Sequence, residues 1–274
     1  MRYILVFFIL FFSFHCVGQN YSRKDFTAYA ISKVSPELWY KMNTSINSFS
    51  ISVVAGHLQI FKAISARNRE YTVETGKLLP LDIGELGGGL YYKPNDATKD
   101  TFFVNGKKVI ANSQLSNFKI FLLKNDPKIA LIKGKHVLLE GGNMQAVMSY
   151  DNDWLFIYNF TNMQGVHGLL SKLTIKKDSF TVKNIFDLAA TTEAMTIHNR
   201  QIFIITDHGF YNINADGKEW TKELVFDNPL FVKLKANSIA AINKRNIYVG
   251  LNGGYAKINL IKKNIKLFVY DKVK

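Results

Sequence analysis

Cysteine is all but missing from this chain. Cys16 is the only one among 274 residues, so an intramolecular disulfide and a multi-thiolate metal cage are both excluded. Proline is scarce, at five residues, and no low-complexity tract is present, which argues against long disordered segments. Acid is in short supply: 21 Asp and Glu stand against 35 Lys and Arg, for a formal net charge of +14. Several signatures of chemistry are missing as well. There is no Gly-x-Ser-x-Gly nucleophile elbow and no His-x-x-x-His zinc pair. Gly87-Gly88-Gly89 lacks the Gly-Lys-Ser/Thr ending of a phosphate loop and reads instead as crowded backbone or a bulge. Asp151-Asn152-Asp153 is followed by Trp154, where a calcium loop needs glycine.

What is present begins with an apolar run over residues 3–14, behind the basic Met1-Arg2 and ahead of the small residues Val17-Gly18. The run falls short of the ~20 residues of a membrane span, so residues 1–18 are expected to be a secretory signal peptide with Gln19 as the new N-terminus. An uncleaved anchor is one alternative. Lipid attachment at Cys16 is another, against which bulky Phe14 and His15 stand just before the cysteine. Cleavage after Gly18 would leave no cysteine, and residues 19–274 would form one domain held together by burial. No second membrane segment follows.

Residues 19–24 are polar and expected to fray. Ser35-Pro36-Glu37 supplies a cap, a proline suited to the first helical position and an acid for the positive helix end, so one short helix is expected there, outside the strands. From residue 48 onward the texture is alternating. Residues 49–54 and 57–64 read as strands, residues 71–80 as a strand and turn, and residues 118–123, 129–132 and 136–139 as further strands. Phe102-Phe103-Val104-Asn105-Gly106-Lys107-Lys108-Val109-Ile110 is a hairpin signal, because Asn-Gly takes the positive angles of a tight turn.

A repeat organises the second half. Residues 194–214 and 239–259 align without a gap at an offset of 45 residues: strand, polar turn, strand, Gly-containing turn, alternating strand. Residues 146–158 match the start of a third copy, with His167-Gly168 opposite His208-Gly209. Each unit closes on a related strand: Ile185-Phe186-Asp187, Val225-Phe226-Asp227 and Val269-Tyr270-Asp271. This period and grammar predict an all-β chain, a β-propeller of about five or six four-stranded blades. Stacked blades bury faces that one blade cannot cover alone. A β-sandwich is the alternative.

Candidate site residues are few. From residue 231 to the end there are ten Lys and Arg and a single acid, Asp271. Lys233, Lys235, Lys244, Arg245, Lys262, Lys263 and Lys266 are therefore candidates for binding an anionic glycan, a lipid head group or an acidic protein. The same charge also suits a solvated edge that discourages strand pairing. Lysine predominates, which fits diffuse charge better than geometric phosphate recognition, and specific nucleic-acid binding is not expected. His167 and His208, at equivalent turns, are candidates for a shared rim site; a polar residue ahead of a turn glycine is the plainer account. Asp82, Glu85, Glu140 and Glu193 are the carboxylates that could converge on a propeller channel, as a glycosidase would need. Surface acids explain them equally well. No catalytic or metal-ligating set is assigned.

The segments Ile202-Phe203-Ile204-Ile205-Thr206-Asp207-His208-Gly209-Phe210-Tyr211 and Ile247-Tyr248-Val249-Gly250-Leu251-Asn252-Gly253-Gly254-Tyr255 resemble propeller repeats of the two-component-regulator and quinoprotein-like type. The likeness covers about the last 130 residues well. The Trp-Asp signature of WD40 repeats and the tryptophan-docking pattern of quinone-dependent dehydrogenases are both missing, so no cofactor is carried over. The Val17-Gly18-Gln19 junction looks like signal peptides of Gram-negative bacteria. The expectation is an exported, monomeric, non-catalytic binding or scaffold propeller, in the periplasm, at the outer surface or outside. An enzyme acting on a glycan or small molecule in the channel is the alternative.

Overall fold

The computed structural model describes residues 20–63, 70–82, 88–99, 101–110, 135–163, 165–216, 219–228 and 230–273. The expected signal peptide, Glu85 and the expected strands over 118–123 and 129–132 lie outside the described residues. The chain is all-β, with 66% strand and 10% helix. No helix among the described residues is long and apolar enough to cross a membrane.

Strands are numbered along the chain and, among the described residues, form five sheets. The first sheet has the order β1 (Asn20–Tyr21), β4 (His57–Lys62), β3 (Phe49–Val54). In the second, β5 (Tyr71–Val73), β6 (Gly76–Asp82), β7 (Gly88–Pro94) and β10 (His136–Glu140) lie side by side. The third contains β11 (Gly142–Tyr150), β12 (Asp153–Asn162), β13 (Gly165–Lys176) and β14 (Ser179–Asp187), with the hairpin β8 (Thr101–Val104) and β9 (Lys107–Ile110) added beyond β14. The fourth is β15 (Thr192–His198), β16 (Gln201–Thr206), β17 (Gly209–Asn214) and β18 (Thr221–Asp227). The last is β19 (Ser238–Asn243), β20 (Asn246–Leu251), β21 (Gly254–Asn259) and β22 (Asn264–Tyr270), completed by β2 (Phe26–Ala30).

Each aligned repeat unit is thus a run of four consecutive antiparallel strands within one sheet, and the expected closing strands are β14, β18 and β22. Four apolar clusters lie between sheets. Phe156 and Phe180 pack with Leu78 and Tyr92 between the second and third sheets. Leu155 and Ile157 meet Ile202 and Ile204 between the third and fourth. Phe203 and Phe210 meet Val249 and Leu251 between the fourth and last. Phe49, Ile51 and Ile60 meet Phe26, Tyr255 and Tyr270 between the first and last. Alternation explains these pairs: β16 and β20 are buried on both faces and run as continuous apolar segments. Polar clamps add to them. Asn159 on β12 accepts from the Thr192 N–H and hydroxyl at 2.7 and 2.8 Å and donates to the Thr192 carbonyl at 2.9 Å.

The repeat glycines have a steric reason. Gly209 and Gly254 are 45 residues apart, and a Cβ on either would run into a backbone carbonyl of the adjoining closing strand, that of Phe226 or of Phe268. Gly88 and Gly89 are crowded in the same way by the Leu81 and Leu139 carbonyls, which agrees with crowded backbone at the glycine run.

Two expectations need correction. Residues 20–24 do not fray: β1 pairs with β4, Ser22 and Asp25 form a capping box around a short 3-10 turn, and Tyr21 packs edge-on against Phe49 and Tyr270. Pro80 is not in a turn but inside β6. It lies two residues past the last pair with β5, Tyr71 with Leu78, so its missing N–H removes no bond from that ladder. The Asn105-Gly106 turn forms as expected, with φ of 49° and 76°, and its hairpin pairs in parallel with β14. Helix α1 (Pro36–Asn43), capped by Ser35 at 3.2 Å, forms where it is expected, and a second, α2 (Leu230–Lys233), has its first N–H accepted by Asn228 at 2.9 Å. Asn228-Pro229 carries the same cap-and-proline signature as Ser35-Pro36.

Candidate functional site

The basic residues of the last sheet do not form one patch. The six residues of β19 separate them. Lys233 ends α2 and Lys235 follows at φ 50°, both ahead of β19. Lys244 and Arg245 lie in the β19–β20 turn, and Lys262 and Lys263 in the β21–β22 turn, at the other end of the sheet. Those two turns are tied together, since the Leu260 N–H donates to the Lys244 carbonyl at 2.9 Å. Asn243 and Asn259 pin them further by accepting the Arg245 and Lys262 N–H groups at 2.9 and 3.0 Å. Lys263 approaches Glu223 at 3.9 Å. Lys244, Arg245 and Lys262 have no carboxylate partner among the described residues.

Lys266 belongs to a third place, the face of the sheet. It stands directly opposite Lys257 on β21, which in turn stands opposite Tyr248 on β20. Lys257 Nζ lies 5.9 Å from the Tyr248 ring centroid, and Arg23 Cζ lies over the same ring at 5.8 Å. Burial, then the charges of Arg23 and Lys266, push the Lys257 ammonium below the ordinary lysine range. Sequence reasoning singled out neither Arg23 nor Lys257. The available signal was the alternation Tyr255-Ala256-Lys257, which sets Lys257 on the aromatic face.

His167 and His208 occupy different settings. The β12–β13 hairpin is longer than its counterparts, so His167 sits inside β13, paired with Phe160, whereas His208 remains in the β16–β17 turn. Each imidazole has its own carboxylate: His167 Nδ1 meets Asp187 at 2.9 Å, and His208 Nδ1 meets Asp207 at 2.9 Å. Asp187 also accepts the Ala189 N–H at 2.7 Å. No group of three His, Cys, Asp or Glu able to hold a metal ion occurs among the described residues.

A cavity of about 1160 Å³ is walled mainly by one edge strand from each of four sheets, β3, β11, β15 and β19, with Tyr71 of β5 and Pro80 of β6. Its lining is mixed: Ser50, Ser52, Gln145, Thr196 and Ser238 alternate with Ile, Val, Met and Ala. Glu193 and Lys235 are in the wall, while Asp82 and Glu140 are not. Of the carboxylates considered from the sequence, Asp82, Glu140 and Glu193 therefore do not converge there.

The Asp151-Asn152-Asp153 turn is likewise committed to structure. Asp153 accepts from the Thr174 hydroxyl at 2.6 Å and pairs with Lys172 at 2.9 Å. Burial alone would raise this carboxyl; the Thr174 and Lys172 contacts outweigh burial and hold it below the ordinary aspartate range. A depressed folded value means that the stabilisation is complete above the unfolded value of about 3.9 and is lost as pH falls through the folded value. Asp153→Asn is therefore expected to flatten the acid side of a melting-temperature profile taken from about pH 6 to pH 2. An unchanged acid limb would show that the pair is not coupled to folding.

No family model matches the chain, and no curated protein is detectably similar to it, so what the site binds has to be argued from its own geometry.

Proposed function

We propose that the chain is an exported, non-catalytic binding protein with a five-bladed β-propeller architecture, and that it takes an anionic ligand on the rim of its last blade. The observation that carries this reading is the rim itself. Lys244, Arg245 and Lys262 are brought together from two turns, and no described carboxylate neutralises them. A cationic surface of this kind draws polyanions by long-range attraction. The propeller reading is supported by separate sheets, four of which adjoin through an edge strand: β3 beside β19, β19 beside β15, β15 beside β11. It is supported too by β2, which ties the N-terminal segment into the last sheet through pairs such as Phe26 with Tyr270. Export rests on the apolar run over residues 3–14 and the small residues that follow it.

The test is a thermal-shift titration with a sulfated polysaccharide. Stabilisation is expected at low salt and is expected to fade as ionic strength approaches the physiological range, where the screening length is about 8 Å. A triple variant, Lys244→Gln with Arg245→Gln and Lys262→Gln, is expected to lose most of the shift. An equal shift in the triple variant would remove the rim from the reading, and no shift with any polyanion would reject it.

A second reading, an enzyme acting on a glycan in the cavity, is favoured by the cavity's size and mixed lining, which suit a sugar-sized ligand. It predicts salt-insensitive stabilisation by a neutral oligosaccharide and its loss in Glu193→Gln.

A further inference from the structure

The first sheet has three strands, and its outer member β1 is two residues long. The last sheet beside it has five. Their shared core is aromatic: Phe26, Phe49, Tyr255 and Tyr270 meet at ring distances of 5.0 to 5.5 Å together with Tyr21. Farther out on the same face of the last sheet, Ala28, Ala30 and Lys266 remain exposed. Tyr248 is at the margin of the core, nearly buried, with Arg23 and Lys257 over its ring.

Two cations therefore stand over one aromatic ring, and a third, Lys266, is the cross-strand neighbour of one of them. Lys257 and Lys266 are direct cross-strand neighbours, which sets their Cβ atoms about 5 Å apart and makes their like charges repel. Arg23 arrives from the 3-10 turn between β1 and β2. No carboxylate among the described residues pairs with any of the three. The nearby acids are engaged elsewhere: Asp25 accepts the Ser22 N–H at 2.8 Å, and Asp271 accepts the Thr27 hydroxyl at 2.6 Å. The Tyr248 ring face offsets part of the cationic charge. It supplies no counter-ion.

We propose that Arg23, Lys257 and Lys266 form a binding site for one tetrahedral oxyanion, a phosphate or sulfate group, with the Tyr248 ring as its inner wall. The guanidinium offers a planar two-donor fork, and the two ammonium groups act as point charges at one side. One dianion would relieve the repulsion of all three. The site is separate from the Lys244, Arg245 and Lys262 rim and does not depend on it. The oxyanion can be a free ion or a substituent on a glycan.

The experiment is a thermal-shift and calorimetric titration of the purified chain at low ionic strength, with inorganic phosphate, inorganic sulfate and a sulfated disaccharide as probes. Phosphate is expected to raise the melting temperature of the wild type. Arg23→Gln and Lys257→Gln are each expected to weaken phosphate binding about tenfold, while Lys257→Arg retains it. The rim triple variant is expected to keep wild-type phosphate affinity. Without any anion, Lys257→Gln is expected to melt no lower than the wild type, because one of three repelling charges is gone. Tighter binding of the sulfated disaccharide than of sulfate would place the oxyanion on a glycan; equal binding would make the site one for the free ion. Equal phosphate affinity in wild type and Lys257→Gln overturns the proposal. So does a clearly lower anion-free melting temperature of Lys257→Gln, which would make Lys257 a structural cation resting on Tyr248. If the rim triple variant alone loses phosphate, the rim reading stands and this site falls.

Discussion

Phe26→Ala is expected to destabilise the fold by about 3–5 kcal/mol, the range for truncating a buried phenylalanine. For a chain of this size that lowers the melting temperature by very roughly 10 °C, at about 2–4 °C per kcal/mol. Phe26 is 7% exposed and belongs to two structures at once. Its backbone pairs with Tyr270 on β22, and its ring contacts Phe49 of the first sheet and Tyr255 and Tyr270 of the last. Truncation opens a cavity at the place where the N-terminal segment joins the last sheet. Phe103, 45% exposed on β8, provides the comparison. Phe103→Ala is expected to stay within about 0.5 kcal/mol of wild type. Equilibrium urea unfolding of the two variants decides the matter. Equal midpoints would mean that the N-terminal strand contributes nothing to global stability.

Gly209→Ala and Gly254→Ala form the second pair. Neither glycine needs a positive φ. Both sit where the third strand of a unit presses on the fourth, at the Phe226 and Phe268 carbonyls. Room for a methyl group has to come from moving one strand away from its neighbour, at roughly 1–3 kcal/mol for each substitution. Because the two sites lie in different sheets, the double variant is expected to lose the sum. Leu224 also touches the added methyl at Gly209, but through the end of a flexible side chain, at 3.2 Å. Adding Leu224→Ala to Gly209→Ala is therefore expected not to restore stability. Restoration would show that the side chain, and not the carbonyl, sets the limit.

These variants separate what alternation and repetition encode from what they do not. The unit boundaries are local: β15 to β18 and β19 to β22 follow from apolar strands, polar turns and glycines at a fixed interval, and the Asn105-Gly106 and Ser35-Pro36 signals act over a few residues. β16 and β20 declare their double burial as continuous apolar runs. The early units are harder to read because their strands come from distant places. The hairpin over β8 and β9 joins β14, some 75 residues later in the chain, through bonds such as Val182 N–H to Asn105 Oδ1 at 2.8 Å. No local pattern announces that pairing. Residues 20–24 look like a polar tail, since their order comes from Tyr21 meeting rings of Phe49 and Tyr270.

The candidate site divides along the same line. Composition marks the last 44 residues as basic, and that excess is a property of the sequence whatever the fold. Composition assigns a charge to a stretch, not to a surface. Strand reversal sends Lys235 to the cavity, Lys244 and Lys262 to a rim, and Lys257 and Lys266 to a face. It also brings Arg23 to Tyr248 from the other end of the chain. The histidines show the converse. Equivalent in the aligned repeat, His167 and His208 take different partners because one hairpin is longer. Sequence by itself determined strand texture, unit length and where the charge is stored, since these depend on neighbours a few residues away. Tertiary structure alone decided which charges meet, because cross-strand register and the packing of one sheet on the next set those distances.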